Sequence, residues 1–102
     1  RRRLEEPETG VVRWGLRQPL MRPGTELVWY EIPPGSGAGE MAPNLPGVVE
    51  TLTVLSGKLT LQLGDEELTL GAGDSVGYGA QVTMDYRNEG RRPCHILLVC
   101  ER

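Results

Sequence analysis

Few residues in this chain are equipped for chemistry. It has a single histidine, His95, and two cysteines, Cys94 and Cys100. The cysteines fall in one apolar run, six positions apart. An extended strand holds such a pair roughly 20 Å apart, and a disulfide needs Cα atoms within about 7 Å. They cannot pair within that strand, and two free thiols suit a reducing, cytoplasmic setting. No cationic cluster surrounds them, so they read as packing rather than nucleophiles. His95 reads likewise as a packing or surface residue.

The carboxylate that matters most is Glu50, which opens the run Glu50-Thr51-Leu52-Thr53-Val54-Leu55. Side chains on one face of a strand recur every second residue, so Leu52 and Val54 share the Glu50 face. If that face is buried, the carboxylate needs a proton, a hydrogen-bond donor or a cation. Candidate partners are Asn44, Tyr86, or Arg17, Arg22 or Arg87 folding over the mouth of a pocket. A cationic ligand would also serve. By the same parity Met84, Val82 and Tyr86 point one way.

The elements that must position these residues are strands. Thr25–Ile32 is rich in strand formers and ends at Pro33-Pro34-Gly35. Ser36 to Gly47 is Gly-, Pro- and Ala-rich, a long loop or an extended run with little regular pairing. Glu50–Leu55 is a strand closed by Ser56-Gly57. Lys58–Leu63 alternates cleanly, Gly64-Asp65 is a tight hairpin turn, and Glu66–Leu70 is the return arm. Ser75–Tyr78, Val82–Tyr86 and Cys94–Cys100 follow, each after a turn signal. An N-terminal strand is expected around Val11 to Leu16, which contains Trp14. No stretch carries a helical apolar period of useful length. Strands at intervals of about 8 to 12 residues, with turns between, indicate an all-β sandwich or barrel.

Composition narrows the function. The chain has 102 residues, enough for one domain with one core. Its 14 Gly and 8 Pro are more than a helical protein of this size tolerates. No apolar run approaches the ~20 residues of a membrane span. The net charge of −3 disfavours direct nucleic-acid binding by this chain. Arg1-Arg2-Arg3 is followed at once by acids, so residues 1–10 read as a linker or frayed terminus and residues 11–102 as the domain. The chain begins with Arg, shows no secretion-signal pattern, and reads as a piece of something longer.

Two spacings carry a resemblance. Glu50 and Gly57 have six residues between them, and Gly73 is followed at a distance by Asn88. Together with Leu70-Gly71-Ala72-Gly73-Asp74-Ser75, these resemble the two short motifs of the cupin superfamily. The resemblance covers roughly Thr25 to Cys100 and implies a small cupin barrel, a double-stranded β-helix or jelly roll. The ordered set Pro34-Gly35, Asn44, Gly47, Glu50, Val54-Leu55, Gly57, Leu59, Ala72-Gly73-Asp74-Ser75 and Tyr86-Arg87-Asn88 is most similar to the C-terminal cupin domain of helix-turn-helix regulators of the Cro/repressor type.

The site is where the sequence departs from the family. The family's metal-binding histidines fall on Asn44, Pro46 and Met84, and only its Glu survives, as Glu50. One carboxylate with an amide, a proline and a thioether is a poor donor set for iron, manganese or zinc. The resemblance therefore implies a domain with no metal, no cofactor and no catalysis. Its pocket would be lined by Asn44, Glu50, Met84 and Tyr86, with Trp29, or its neighbours Val28 and Tyr30, forming the opposite wall, Leu52 behind and Tyr78 closing one end. The expected role is sensing a small-molecule effector, an amine or amino acid, and dimerising a cytoplasmic transcriptional regulator. Regulators of this type read two half-sites, which suits a homodimer, and Val11–Leu16 is a candidate for exchange onto a partner's sheet. The alternative is a stand-alone small cupin enzyme, an isomerase or dioxygenase, with a rebuilt metal site.

Overall fold

A computed structural model describes residues 2–16 and 24–102. Among them are ten strands: β1 Arg2–Glu5, β2 Val12–Leu16, β3 Thr25–Ile32, β4 Ser36–Gly37, β5 Val49–Ser56, β6 Lys58–Leu63, β7 Glu66–Gly71, β8 Ser75–Gly79, β9 Met84–Asn88 and β10 Cys94–Glu101. They form a six-stranded sheet in the order β1-β2-β3-β10-β5-β8 and a four-stranded sheet in the order β4-β9-β6-β7. All pairings are antiparallel. The domain is all-β, as the alternating pattern predicts.

Burial follows that alternation. In β3, Val28, Tyr30 and Ile32 are buried while Trp29 and Glu31 are partly exposed. In β10, Cys94, Ile96 and Leu98 are buried and alternate with His95 and Leu97. Leu52 and Val54 of β5 meet Leu59 and Leu61 of β6 and Tyr86 of β9 in one core. Each such side chain contributes about 1.5–3 kcal/mol when fully buried. The β6–β7 hairpin places Leu63 opposite Glu66, so its turn is Gly64-Asp65. Gly64 has φ +57°, which the first central position of this turn requires.

Two segments differ from the sequence expectation. Arg2–Glu5 is a strand, not a frayed terminus or linker. It adds to the open edge of β2, and its Arg3 guanidinium lies 5.6 Å from the centre of the Trp14 ring. Val12–Leu16, expected as a strand to be exchanged, pairs within the chain between β1 and β3. The Ser36–Gly47 run takes the second of its two expected forms, extended with little regular pairing, and Ser36 to Met41 lie alongside β9. Ser36 and Gly37 pair with Asn88 and Arg87, Ala38 donates to the Tyr86 carbonyl, and Met41 bridges Met84. This pairing carries Asn44 to the mouth of the barrel.

Asn88 ends β9 and is 1% exposed. Its amide donates to the carbonyls of Ile32 and Arg92 at 2.9 and 2.7 Å, and its Oδ1 accepts from the Gly90 N–H at 3.0 Å. It ties the two sheets together at the end of the barrel away from Glu50.

Cys94 is part of this core, and burial pushes its thiol up to about 11. An unfolded thiol titrates near 8.5. Between these values the folded chain holds the proton that the unfolded chain has lost, so stability falls as pH rises through that window. Each proton so linked accounts for up to about 1.4 kcal/mol per pH unit. Urea unfolding from pH 8.5 to 10 is expected to show a steeper loss in the parent than in Cys94→Ala. Parallel profiles in the two proteins would remove the thiol as the cause.

Candidate functional site

Strand register builds the site. Across the inner face of the larger sheet, Glu26 of β3 stands beside Cys100 of β10, Cys100 beside Glu50 of β5, and Glu50 beside Tyr78 of β8. The next row inward is Val28, Leu98, Leu52 and Val76, which is apolar throughout. On β5 and β10 the polar groups of these two rows are therefore confined to the one near the open end. Facing it from the smaller sheet are Met84 and Tyr86 of β9, both buried.

Glu50 is only 4% exposed. Its Oε1 accepts a hydrogen bond from the Tyr86 hydroxyl at 3.2 Å. Its Oε2 is approached by the Asn44 amide nitrogen at 3.5 Å. The Tyr78 and Tyr86 hydroxyls are 3.1 Å apart. Tyr86 gives its proton to Glu50, so Tyr78 donates to the Tyr86 oxygen, and the chain Tyr78–Tyr86–Glu50 runs in one direction. Burial, and then the neighbouring Glu50 charge, hold the Tyr78 phenol above its ordinary range. Tyr86 is raised further, by burial first and then by Tyr78 and Glu50. Both remain neutral donors at physiological pH. The Cys100 thiol is raised by burial and by the flanking Glu50 and Glu26, so it is protonated and a weak nucleophile.

Except for Tyr78, these groups line a cavity of about 450 Å³. Asn44, Glu50, Met84 and Tyr86, four of the residues expected in the pocket, are among its lining. Leu52 lies one row deeper in the core, and Tyr78 reaches the site through Tyr86. Trp29 does not line the pocket, contrary to expectation. Its parity is that of Glu31, on the outer face, and its indole donates to His95 Nδ1 at 3.2 Å. Val28 and Tyr30 take the inner positions. Pro46 is exposed and is not among the lining residues. Arg87 is engaged by Glu67 at 2.8 Å and Asp85 at 3.5 Å, so it does not partner Glu50. Arg17 and Arg22 lie outside the described residues.

Sequence reasoning misses Arg13, Glu26, Cys100 and Arg102, which also line the cavity. For Cys100 a signal is present: it shares the parity of Ile96 and Leu98. Glu26 likewise shares the parity of Val28 and Tyr30, whereas for Arg13 there is none, because only the pairing of β2 with β3 brings it to the cavity.

The donor set does not fit the metal that the cupin resemblance associates with this position. No imidazole is among the lining groups, whose heteroatom-bearing side chains besides Glu50 and the tyrosines are a neutral amide, thioethers, a protonated thiol, two guanidinium groups and one further carboxylate, Glu26. Among the described residues no group of three His, Cys, Asp or Glu side chains is placed to hold a metal ion.

Comparison with known proteins agrees with this architecture. The family described as the cupin domain matches residues 28–100, from within β3 to within β10. The HTH-type transcriptional regulator SutR of Escherichia coli (strain K12) is 39% identical over 67 residues, 65% of this chain and 38% of that protein. The match thus spans well under half the length of that regulator. The Cupin_2 domain of an XRE family transcriptional regulator from Enterobacter cloacae superposes with a TM-score of 0.82 at 26% identity, covering 90% of this chain and 96% of that one. A predicted oxalate decarboxylase from Thermotoga maritima gives a TM-score of 0.80 at 19% identity over 98% of this chain and 90% of that one, a likeness of fold alone. Regulator domains and enzymes thus share this barrel, and the chain belongs to the cupin family.

Proposed function

We propose that this chain is a non-catalytic domain that senses a small-molecule effector within a cytoplasmic transcriptional regulator. The observation that carries this is the state of Glu50. The one surviving family ligand is held by a phenol and an amide, in a cavity with apolar walls and a few convergent polar groups, which is the usual form of a ligand site. The resemblance to SutR and to the Enterobacter cloacae regulator domain supports the regulatory setting. DNA contact in such a protein belongs to helices outside this sequence. Among the described residues no helix is long and apolar enough to cross a membrane.

The test joins elemental analysis to a thermal-shift screen of amines, amino acids and small acids. Purified protein is expected to carry no stoichiometric iron, manganese or zinc and to be indifferent to chelation. At least one compound in the screen is expected to stabilise it, by ~2.7 kcal/mol at 100 times its dissociation constant. Glu50→Gln keeps the shape and one acceptor, so it is expected to cost under ~1.5 kcal/mol of stability and to abolish that ligand's effect. Stoichiometric metal whose removal destabilises the fold would instead favour the alternative, a small cupin enzyme with a rebuilt site.

The regulator reading carries a second expectation, a homodimer. Leu27 and Trp29 of β3 stand beside Val99 and Leu97 of β10 on the outer face of the larger sheet. These four partly exposed apolar side chains form a block suited to cover by a second copy. Sedimentation at ~50 µM and physiological salt is expected to give a dimer; a monomer under those conditions would count against it.

A further inference from the structure

We propose that the cavity takes a small zwitterion, an α-amino acid or close analogue, with its ammonium group on Glu50 and its carboxylate on Arg102. This rests on the reading of the cavity as a ligand site and specifies the ligand's charge pattern. Four charged side chains line the cavity, Arg13, Glu26, Glu50 and Arg102. None of the four makes an ion pair among the described residues. Glu50 is met only by neutral donors, and Arg13 lies 6.0 Å from the centre of the Tyr30 ring. Two positive and two negative groups thus face one space without neutralising one another. A simple amine would satisfy one carboxylate and leave both guanidinium groups unanswered. A simple acid would do the reverse. A zwitterion answers one of each and keeps the cavity balanced.

The spacing selects the head group. Glu50 pairs across the sheet with Cys100, and Arg102 lies two residues beyond Cys100, hence on the same face. The Arg102 backbone N–H donates to the Gly24 carbonyl at 3.2 Å, which anchors this end of the chain beside β3. The Arg102 charge is also felt at the Cys100 thiol, where it opposes the effect of the two carboxylates. Glu50 and Arg102 are therefore offset by two residues on one face of the sheet, and both line the one cavity, where a single small molecule can meet them together. Each carboxylate oxygen has capacity beyond the one donor it already meets, so an ammonium group can join Tyr86 and Asn44 without displacing them. The guanidinium fork suits a carboxylate in two-point contact. The apolar wall of Val28, Met84 and Leu98 is left for the ligand's side chain. A volume of about 450 Å³ suits a molecule of this size.

The test is calorimetric titration of the 102-residue chain with the twenty common α-amino acids, and with the decarboxylated amine and deaminated acid of each one that binds. At least one amino acid is expected to bind, with both singly charged analogues weaker by tenfold or more. Arg102 is exposed, so Arg102→Gln is expected to fold as the parent does. It should weaken the amino acid at least tenfold and leave the matching amine unchanged. An amine that binds as tightly as its amino acid, or an Arg102→Gln variant with parental affinity, overturns the zwitterion and leaves a cation sensor standing. Binding by none of the twenty also overturns it. The broader reading fails on a different result, stoichiometric metal in the same preparation.

Discussion

Gly57→Ala is expected to cost about 4 kcal/mol of stability or more, a loss reserved for a backbone collision compounded by strain. Gly57 joins β5 to β6 with φ +81°, a conformation that costs any residue with a Cβ roughly 1–2 kcal/mol. Steric contact adds more than the dihedral angle does. A Cβ at this position would stand 2.6 Å from the Pro93 carbonyl oxygen and 3.0 Å from the Cys94 Cα. Both are backbone atoms at the start of β10, which is hydrogen-bonded to β3 on one side and β5 on the other. Neither can retreat without opening the larger sheet. Urea unfolding measures the effect, with an unchanged slope showing that the unfolding transition is the same. Gly35→Ala is the control, because Gly35 has φ +72° but nothing within 4 Å of the added carbon. It is expected to cost only the strain. Equal losses in the two variants would show that Gly57 is required for its dihedral angle alone.

The importance of Gly57 is legible in the sequence, where it is the closing glycine of a spaced motif, and the same holds for most of the barrel. Leucines alternate through Lys58–Leu63, Gly64-Asp65 turns the chain, and each strand that follows is introduced by glycine or proline. These are local signals, and local physics reads them. The pocket is legible only where a single strand decides the matter. Glu50 with Leu52, and Met84 with Tyr86, follow from parity within β5 and β9. Trp29 is easily misplaced because Val28, Trp29 and Tyr30 are three strand formers in succession. The deciding signal is Glu31, whose charge belongs outside and which carries Trp29 to the same face. Register between strands distant in sequence is a different kind of information. Arg13 reaches the cavity only through the pairing of β2 with β3, and nothing in the intervening residues encodes that pairing locally. Arg2–Glu5 escapes detection for a related reason. It has no apolar alternation of its own and is a strand because β2 offers it an open edge.

Asn44→His combined with Met84→His is expected to convert the cavity into a metal site, and Zn²⁺ or Ni²⁺ should then stabilise the protein by about 4 kcal/mol at 1,000 times the dissociation constant. The backbone at both positions is already held. The Asn44 N–H donates to the Ala80 carbonyl at 2.7 Å, and Met84 exchanges two hydrogen bonds with Met41 at 2.7 and 3.0 Å. Both side chains line the same cavity as Glu50, and Asn44 is already within 3.5 Å of its Oε2. Two imidazoles and one carboxylate on a shared cavity form a facial set with positions left open. Replacing Asn44 also removes one of the two donors that now meet Glu50 and puts a ligating nitrogen in its place. The parent should show no metal-dependent stabilisation, and Glu50→Gln in the double variant should abolish it. Stabilisation should fade as pH drops below about 6.5, where imidazole takes up a proton and stops ligating. A double variant that folds but ignores both metals would mean that substitution at Asn44 and Met84 is not what separates this cavity from a metal site. Stabilisation of the parent to the same degree would mean that Glu50 still serves as a ligand with groups other than these. The expected result would show that restoring two of the three missing histidine positions is enough to recover a metal site around Glu50 on an otherwise retained scaffold.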